Sequence, residues 1–155
     1  MKEIKLTQGK VTLVDDEDYE YLNQWKWHTV RKRNIFYAER RLSKVHKQKI
    51  IIMHRVIMKT PSNLTVDHIN HNGLDNRKIN LRNCTNQQNL MNRLSRDNSN
   101  YLGVSYNNKG FIRARIGFNR YQFHLGYFKN EIEAALAYDK KAKILFGEFA
   151  NLNFK

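Results

Sequence analysis

One cysteine, Cys84, stands in the whole chain. A lone thiol excludes an intramolecular disulfide and a thiolate zinc cage. Structural zinc is therefore not expected, and any metal must be held by oxygen or imidazole. No apolar run approaches the length of a membrane span, and Met1-Lys2-Glu3 opens no signal peptide. The expected location is the cytoplasm, with no membrane partner. Acidic residues are also in short supply: 14 Asp and Glu stand against 28 Lys and Arg, which leaves a net charge of +14 and a pI near 10.0.

That excess is spread along the chain and not gathered in a tail. A field of this sign favours a polyanion, because each neutralised phosphate releases condensed counterions. A basic protein with no nucleic-acid role is the plainer alternative. An anionic membrane surface fits less well, since no segment reads as a basic amphipathic helix. Aromatic residues are plentiful (8 Tyr, 8 Phe, 2 Trp) and hydrophobics make up 41%, so the chain has material for folded cores. At 155 residues it can form one ordinary domain or two small ones.

Glu3 to Leu6 and Lys10 to Val14 alternate around Gln8-Gly9, the pattern of a hairpin. Asp15-Asp16-Glu17-Asp18 then places carboxylates where a helix N-terminus welcomes them, with Tyr19, Leu22 and Trp25 following at helical spacing. Helix capping accounts for this acidic cluster better than a metal site does. Trp27 to Val30 and Ile35 to Leu42 read as a second hairpin, closed by Arg31-Lys32-Arg33-Asn34. Ile50 to Met58 reads as a short buried helix ended by Pro61. His54 within it is a hydrogen-bonded core histidine or, less readily, a ligand.

The chemistry-bearing stretch follows. Val66-Asp67-His68 ends a short β-like run, and Asn72-Gly73 marks a turn. Leu81-Arg82 resumes pairing, and Asn86 to Asn92 has helical character with Thr85 as its N-cap. The order is strand, loop, strand, helix. Adjacent strand residues point to opposite faces, so Asp67 and His68 serve one site only if the strand ends or turns irregular there. Phosphodiester cleavage needs a base, a cation against the charge growing on phosphate, and stabilisation of the leaving 3′ oxygen. Histidine suits the first role because its pKa lies near neutrality. A carboxylate with an amide oxygen suits Mg2+, which takes hard ligands and keeps several waters.

This stretch closely resembles the HNH family of ββα-metal nucleases, in the form carried by phage and intron homing endonucleases. The match runs from Met53 to about Asn92 and includes the His54-Arg55 lead-in. The resemblance implies His68 as general base, Asp67 as metal-binding aspartate, Asn80 as the brace beneath the histidine, and Asn89 as a metal ligand offered by the helix. It implies double-stranded DNA as partner and one divalent cation, Mg2+ foremost with Mn2+ as the alternative. Arg77 and Arg82 are candidate phosphate clamps, or solvated charges. His71 is a phosphate or metal contact, or an exposed turn residue. A coincidental polar loop is the competing reading, and the joint spacing counts against it.

Arg93 to Asn100 is polar and without hydrophobic periodicity, as suits a linker. Beyond it lies a pattern of three short strands and one helix. Ile112, Ala114 and Ile116 alternate with Phe111, Arg113 and Arg115. Asn130 and Glu133 form a capping-box pattern, and Ile132, Ala135, Leu136, Ala142 and Leu145 supply a covering stripe. The motifs Tyr101-Leu102-Gly103-Val104, His124-Leu125-Gly126-Tyr127-Phe128, Ala134 to Asp139 and Ala150-Asn151-Leu152-Asn153-Phe154 resemble the plant ethylene-response-factor (APETALA-type) DNA-binding domain. His124 stands where plant members usually carry tryptophan, and Gln122 where they carry arginine. The resemblance implies a DNA-facing set of Tyr106, Lys109, Arg113, Arg115, Arg120, His124 and Tyr127.

The expected fold class is α+β: an N-terminal small-strand region leading into a ββα-metal nuclease core, then a three-stranded antiparallel sheet packed on one helix. The expected boundaries are 1–92 for the strands and nuclease (motif 53–92), 93–100 for the linker, and 101–155 for the DNA-binding domain. The expected function is a site-directed, homing-type nicking endonuclease, with a non-catalytic DNA-binding regulator as the alternative. A monomer is the favoured state.

Overall fold

A computed structural model describes residues 1–42, 49–94 and 99–154. The chain divides into two compact units, Met1–Asn86 and Gln87–Lys155. The expected linker at 93–100 lies partly outside the described residues.

The first unit opens on a hairpin, β1 (Lys2–Lys5) and β2 (Val11–Val14), with Lys2 opposite Val14. Gln8 and Gly9 take positive φ at its turn. Helix α1 (Asp16–Leu22) carries Asp16, Glu17 and Asp18 in its first turn, where the helix dipole stabilises negative charge. One expectation fails here. The helix ends at Leu22, so Trp25 lies beyond it, beneath the Arg40 guanidinium at 4.2 Å. Asp15 stands at the N-cap but makes no side-chain cap bond; its Oδ2 instead accepts the Lys78 backbone N–H at 2.7 Å.

Strands β3 (His28–Lys32), β4 (Ile35–Leu42) and β5 (Lys49–Ile52) form one antiparallel sheet in that order. The expected helix over 50–58 is thus corrected. The β-branched run Ile50-Ile51-Ile52 pairs with Glu39–Arg41 as strand, which suits side chains stiff at χ1. Only α2 (Met53–Ile57) is helical. Strands β6 (Thr65–His68) and β7 (Leu81–Cys84) then pair antiparallel, joined by a loop and a 3-10 turn at Lys78–Asn80. The core gathers Ile4, Val14, Leu22, Trp27, Ala38, Met53, Ile57, Val66 and Leu81. The Trp27 indole donates to the Leu22 carbonyl at 2.8 Å.

Helix α3 (Asn86–Met91) straddles the division. In the second unit β8 (Val104–Tyr106), β9 (Ile112–Phe118) and β10 (Tyr121–Phe128) form a sheet with β9 in the middle. A bulge between His124 and Gly126 shifts the register. Helix α4 (Glu131–Phe146) covers the apolar side; the Asn130 side chain caps it by accepting the Glu133 N–H at 2.9 Å. Of the expected covering stripe, Ala135 and Ala142 are buried and Leu145 packs against the core, but two members do not cover the sheet. Ile132 and Leu136 are 54% and 52% exposed, while Ala134, Ala135, Tyr138, Ala142 and Phe146 are buried. The buried positions 135, 138, 142 and 146 follow 3- and 4-residue steps; Leu136 turns away from that line, and Ile132 is exposed in the first turn of the helix. Gly103 has φ +72°, and a Cβ there would lie 2.0 Å from the Tyr138 ring, so only glycine lets the strand approach α4. Asp139 holds the C-terminal segment by accepting the Asn153 and Phe154 N–H groups, each at 2.9 Å. Among the described residues no helix is long and apolar enough to cross a membrane.

Candidate active site

Strand β6 ends at His68, and Ile69 and Asn70 turn away. Asp67 and His68 are both buried, at 4% and 7% exposure. The register sets Asp67 opposite Arg82, whose Nε and Nη2 donate to Asp67 Oδ2 at 2.9 and 2.7 Å. Each charge thereby compensates a partner held mostly away from water. Arg82, expected as a phosphate clamp or a solvated charge, is paired here with Asp67. Arg77 is likewise engaged, with Nε and Nη2 each 2.7 Å from the Asp75 carboxylate. That fork, foremost, holds the Asp75 carboxyl below its ordinary range.

Asn80 is buried and spans the loop that follows His68. Its Oδ1 accepts the Asn70 N–H at 2.9 Å, its Nδ2 donates to the Asp75 carbonyl at 2.8 Å, and its own carbonyl accepts the Ile69 N–H at 3.0 Å. Shorter-range bonds finish the turn: Asn70 Oδ1 accepts the Asn72 N–H, and Asn72 Oδ1 accepts the Leu74 N–H. His71, half-buried with φ +63°, donates its backbone N–H to the His68 carbonyl at 2.9 Å. Gly73 is packed so closely on β4 that a Cβ would meet the Phe36 carbonyl oxygen at 2.4 Å.

His68 Nε2 lies 3.1 Å from Asn76 Oδ1. Burial pushes the imidazole pKa down, against the opposing pull of the Asn76 bond and of Asp67 and Asp75. The ring is therefore neutral at neutral pH, as a proton acceptor must be. Two groups absent from the sequence reading of the site stand beside it. The His54 ring is 5.0 Å from the His68 ring, centroid to centroid, and Tyr37 is 5.7 and 5.8 Å from His54 and His68. Burial first, then His68, Arg55 and Lys32, lower the His54 pKa to about 3. Burial and the Asp67 charge raise that of Tyr37. The only sequence signal for this wall was the His54-Arg55 lead-in, and Tyr37 carried none.

No group of three or more His, Cys, Asp or Glu among the described residues is arranged to hold a metal. The donor set at Asp67 is instead one buried carboxylate beside a neutral imidazole. A hard cation that keeps most of its water fits such a set; a closed zinc site does not. Cys84 is buried and its thiol is pushed up to about 11, chiefly by burial, so it supplies no thiolate. Asn89 lies exposed on α3.

The remaining candidates lie in the second unit. The β9–β10 register puts Arg113 opposite Tyr127 and Arg115 opposite His124. These share the sheet face turned from α4, while buried Ala114 and Ile116 point toward it. The His124 and Tyr127 rings are 4.9 Å apart, and Arg113 Nε donates to Ser105 Oγ at 3.1 Å. Lys109 and Arg120 are exposed in the two turns of the sheet. Tyr106 is 45% exposed, and its phenol pKa is raised by burial and by a bond to Glu131.

Comparison with known proteins points one way. The sequence model of the HNH endonuclease family matches residues 53–91. A protein of Acanthamoeba polyphaga mimivirus, described as an uncharacterized HNH endonuclease, is 30% identical over 146 residues, covering 94% of this chain and 76% of that relative. No solved structure matches.

Proposed function

The chain belongs to the HNH endonuclease family, and from that premise we propose that it nicks double-stranded DNA, with His68 as the general base. The observation that carries this reading is the placement of His68: it ends a strand beside the buried Asp67, its ring is kept neutral by burial, and its Nε2 is fixed by Asn76. His68 takes the proton of a water attacking phosphorus in line with the 3′ oxygen. The products carry 5′-phosphate and 3′-hydroxyl ends. Asn80 braces the loop that sets the ring, through its bonds to Asn70, Asp75 and Ile69.

Asp67 and Asn89 would hold a divalent cation, Mg2+ foremost, and when bound it neutralises charge gathering on the scissile phosphate. The assignment of Asn89 rests on the motif pattern. Strands β6 and β7 with α3 are read as the ββα-metal core. The second unit is read as the address: an APETALA-type sheet whose Arg113, Arg115, His124 and Tyr127 face the groove, with Tyr106, Lys109 and Arg120 at its margins. Arg77 and Arg82 serve phosphate only from within their ion pairs, as charge beside the site. One active site cuts one strand, so a monomer nicks. The homing-type resemblance and the viral relative favour a mobile or phage gene acting in the cytoplasm of its host.

Supercoiled DNA incubated with the protein and Mg2+ tests the reading. Conversion to open circles that disappears in His68→Ala supports it. Cleavage that persists undiminished in His68→Ala overturns the assignment of the base.

A further inference from the structure

Thr12 and Asn76 are both 0% exposed and lie 64 residues apart in sequence. Thr12 Oγ1 is 2.7 Å from the Leu74 carbonyl oxygen and 2.8 Å from Asn76 Nδ2. A carbonyl only accepts, so the single hydroxyl proton of Thr12 goes to Leu74. The hydroxyl oxygen must then accept, and the Asn76 atom facing it must be the amide nitrogen. Met53 Sδ, a weak acceptor 3.6 Å from the same nitrogen, agrees with that orientation. The amide oxygen is thereby aimed at His68 Nε2, 3.1 Å away. An oxygen there accepts, so Nε2 must carry the ring proton, and the lone pair of the neutral imidazole falls on Nδ1. The chain of donors runs from His68 Nε2–H to Asn76, from Asn76 Nδ2–H to Thr12, and from Thr12 O–H to Leu74. Each amide or hydroxyl orientation follows from the next.

We propose that Asn76, oriented by the Thr12 hydroxyl of the N-terminal hairpin, is a positioning residue that fixes His68 in the Nε2–H tautomer and makes Nδ1 the basic nitrogen. Backbone bonds hold the relay in place. Leu13 N–H donates to the Leu74 carbonyl and Asn76 N–H to the Leu13 carbonyl, each at 2.9 Å, so β2 lies along the loop like an added strand. This gives β1–β2 a role in the chemistry. A wrong tautomer at a catalytic histidine leaves geometry intact while removing the base, which is why the orienting group matters. The catalytic part of the proposal rests on His68 being the base; the tautomer part does not.

The test reads the tautomer directly. Imidazole 15N shifts of His68 are recorded above pH 7 in the intact protein, and nicking rates are taken in parallel. The wild type is expected to show the Nε2–H form. Thr12→Ser keeps the hydroxyl and is expected to match it. Thr12→Val removes the hydroxyl at nearly constant volume, freeing the Asn76 amide to turn. It is expected to bring in the Nδ1–H form and lower kcat by roughly 10- to 100-fold with little change in KM, the size of effect typical for loss of a group that orients an imidazole. Asn76→Ala is expected to lower kcat at least as far. A wild-type Nδ1–H signal overturns the relay, as does an unchanged tautomer in both Thr12→Val and Asn76→Ala. If the tautomer follows the hydroxyl while cleavage ignores His68→Ala, the relay stands and the assignment of the base falls.

Discussion

Acid should loosen the first unit through His54. The side chain is buried on α2 against His68 and Tyr37, and burial, followed by the charge of His68 and then those of Arg55 and Lys32, takes its pKa to about 3. Unfolded, the same histidine titrates near 6.5. Between these values the unfolded chain binds a proton that the folded chain refuses. The stability contribution is therefore complete above about pH 6.5 and is lost as pH falls toward 3, at about 1.4 kcal/mol per unit. By pH 4.5 the loss from His54 alone amounts to about 2.7 kcal/mol. His68 is shifted in the same direction and adds to it. The Asp75 carboxyl, lowered by Arg77, gives up its contribution only below about pH 4, so the window from 4.5 to 6.5 belongs to the histidines. Both tryptophans of the chain, Trp25 and Trp27, lie in this unit, and urea unfolding followed by their fluorescence isolates it. Wild type and His54→Gln are compared from pH 4.5 to 8. The variant, whatever its stability at pH 8, should lose about 2.7 kcal/mol less than wild type on acidification. Parallel curves for the two proteins would refute the reasoning.

Gly73→Ala sets a methyl against the Phe36 carbonyl oxygen, Ile35 and Tyr37, at 2.4 to 2.8 Å. It should cost about 1–3 kcal/mol by overpacking, measured by the same fluorescence; an unchanged urea midpoint counts against the packing described. Cleavage should require neutral His68. Since burial lowers its pKa, the acid limb of kcat/KM must fall below pH 6.5, and a limb above that value excludes His68 in this environment as the base. Arg113→Ala and Arg115→Ala should each flatten the log–log salt dependence of duplex binding by about 0.9 if each arginine neutralises one phosphate. Fluorescence anisotropy across a salt series reads the slope, and an unaltered slope removes that arginine from the interface.

What the sequence revealed depended on how far each signal travelled along the chain. Both hairpins, the β6–loop–β7 order and the sheet-plus-helix pattern of the second unit were readable, because period-2 alternation and turn residues act over a few positions. The HNH pattern was legible through its resemblance to the family, which the match over residues 53–91 bears out. Local pattern failed where two periods compete. The run from Ile50 to Met58 is apolar apart from His54-Arg55, and only pairing with β4 decides that its first part is strand. On α4, Ile132 and Leu136 looked like core and are exposed, because a sheet contacts a helix along one narrow line. Thr12 and Tyr37 were legible as strand residues and His54 as a core histidine, but not their approach to His68. Each reaches the site across a tertiary contact that leaves no spacing to read.

The loop after His68 shows why such remote contacts are needed. Asn70 and Asn72 shape it through bonds to backbone N–H groups two residues on, and Asn80 ties its two ends together. Bonds of this kind fix where the chain goes. They also orient those amides, because a backbone N–H only donates. The Asn76 amide instead faces a hydroxyl and an imidazole, either of which can donate or accept, so its own orientation is a separate choice. At Asn76 that choice determines which nitrogen of His68 carries its proton, and only a group with a defined proton direction can make it. Water would serve on the surface, but Asn76 is wholly enclosed. The hydroxyl of Thr12 supplies the direction because its own proton is committed to a backbone carbonyl. A loop built from local asparagine bonds can thus place a histidine, whereas orienting it chemically takes a residue from a strand far away in sequence.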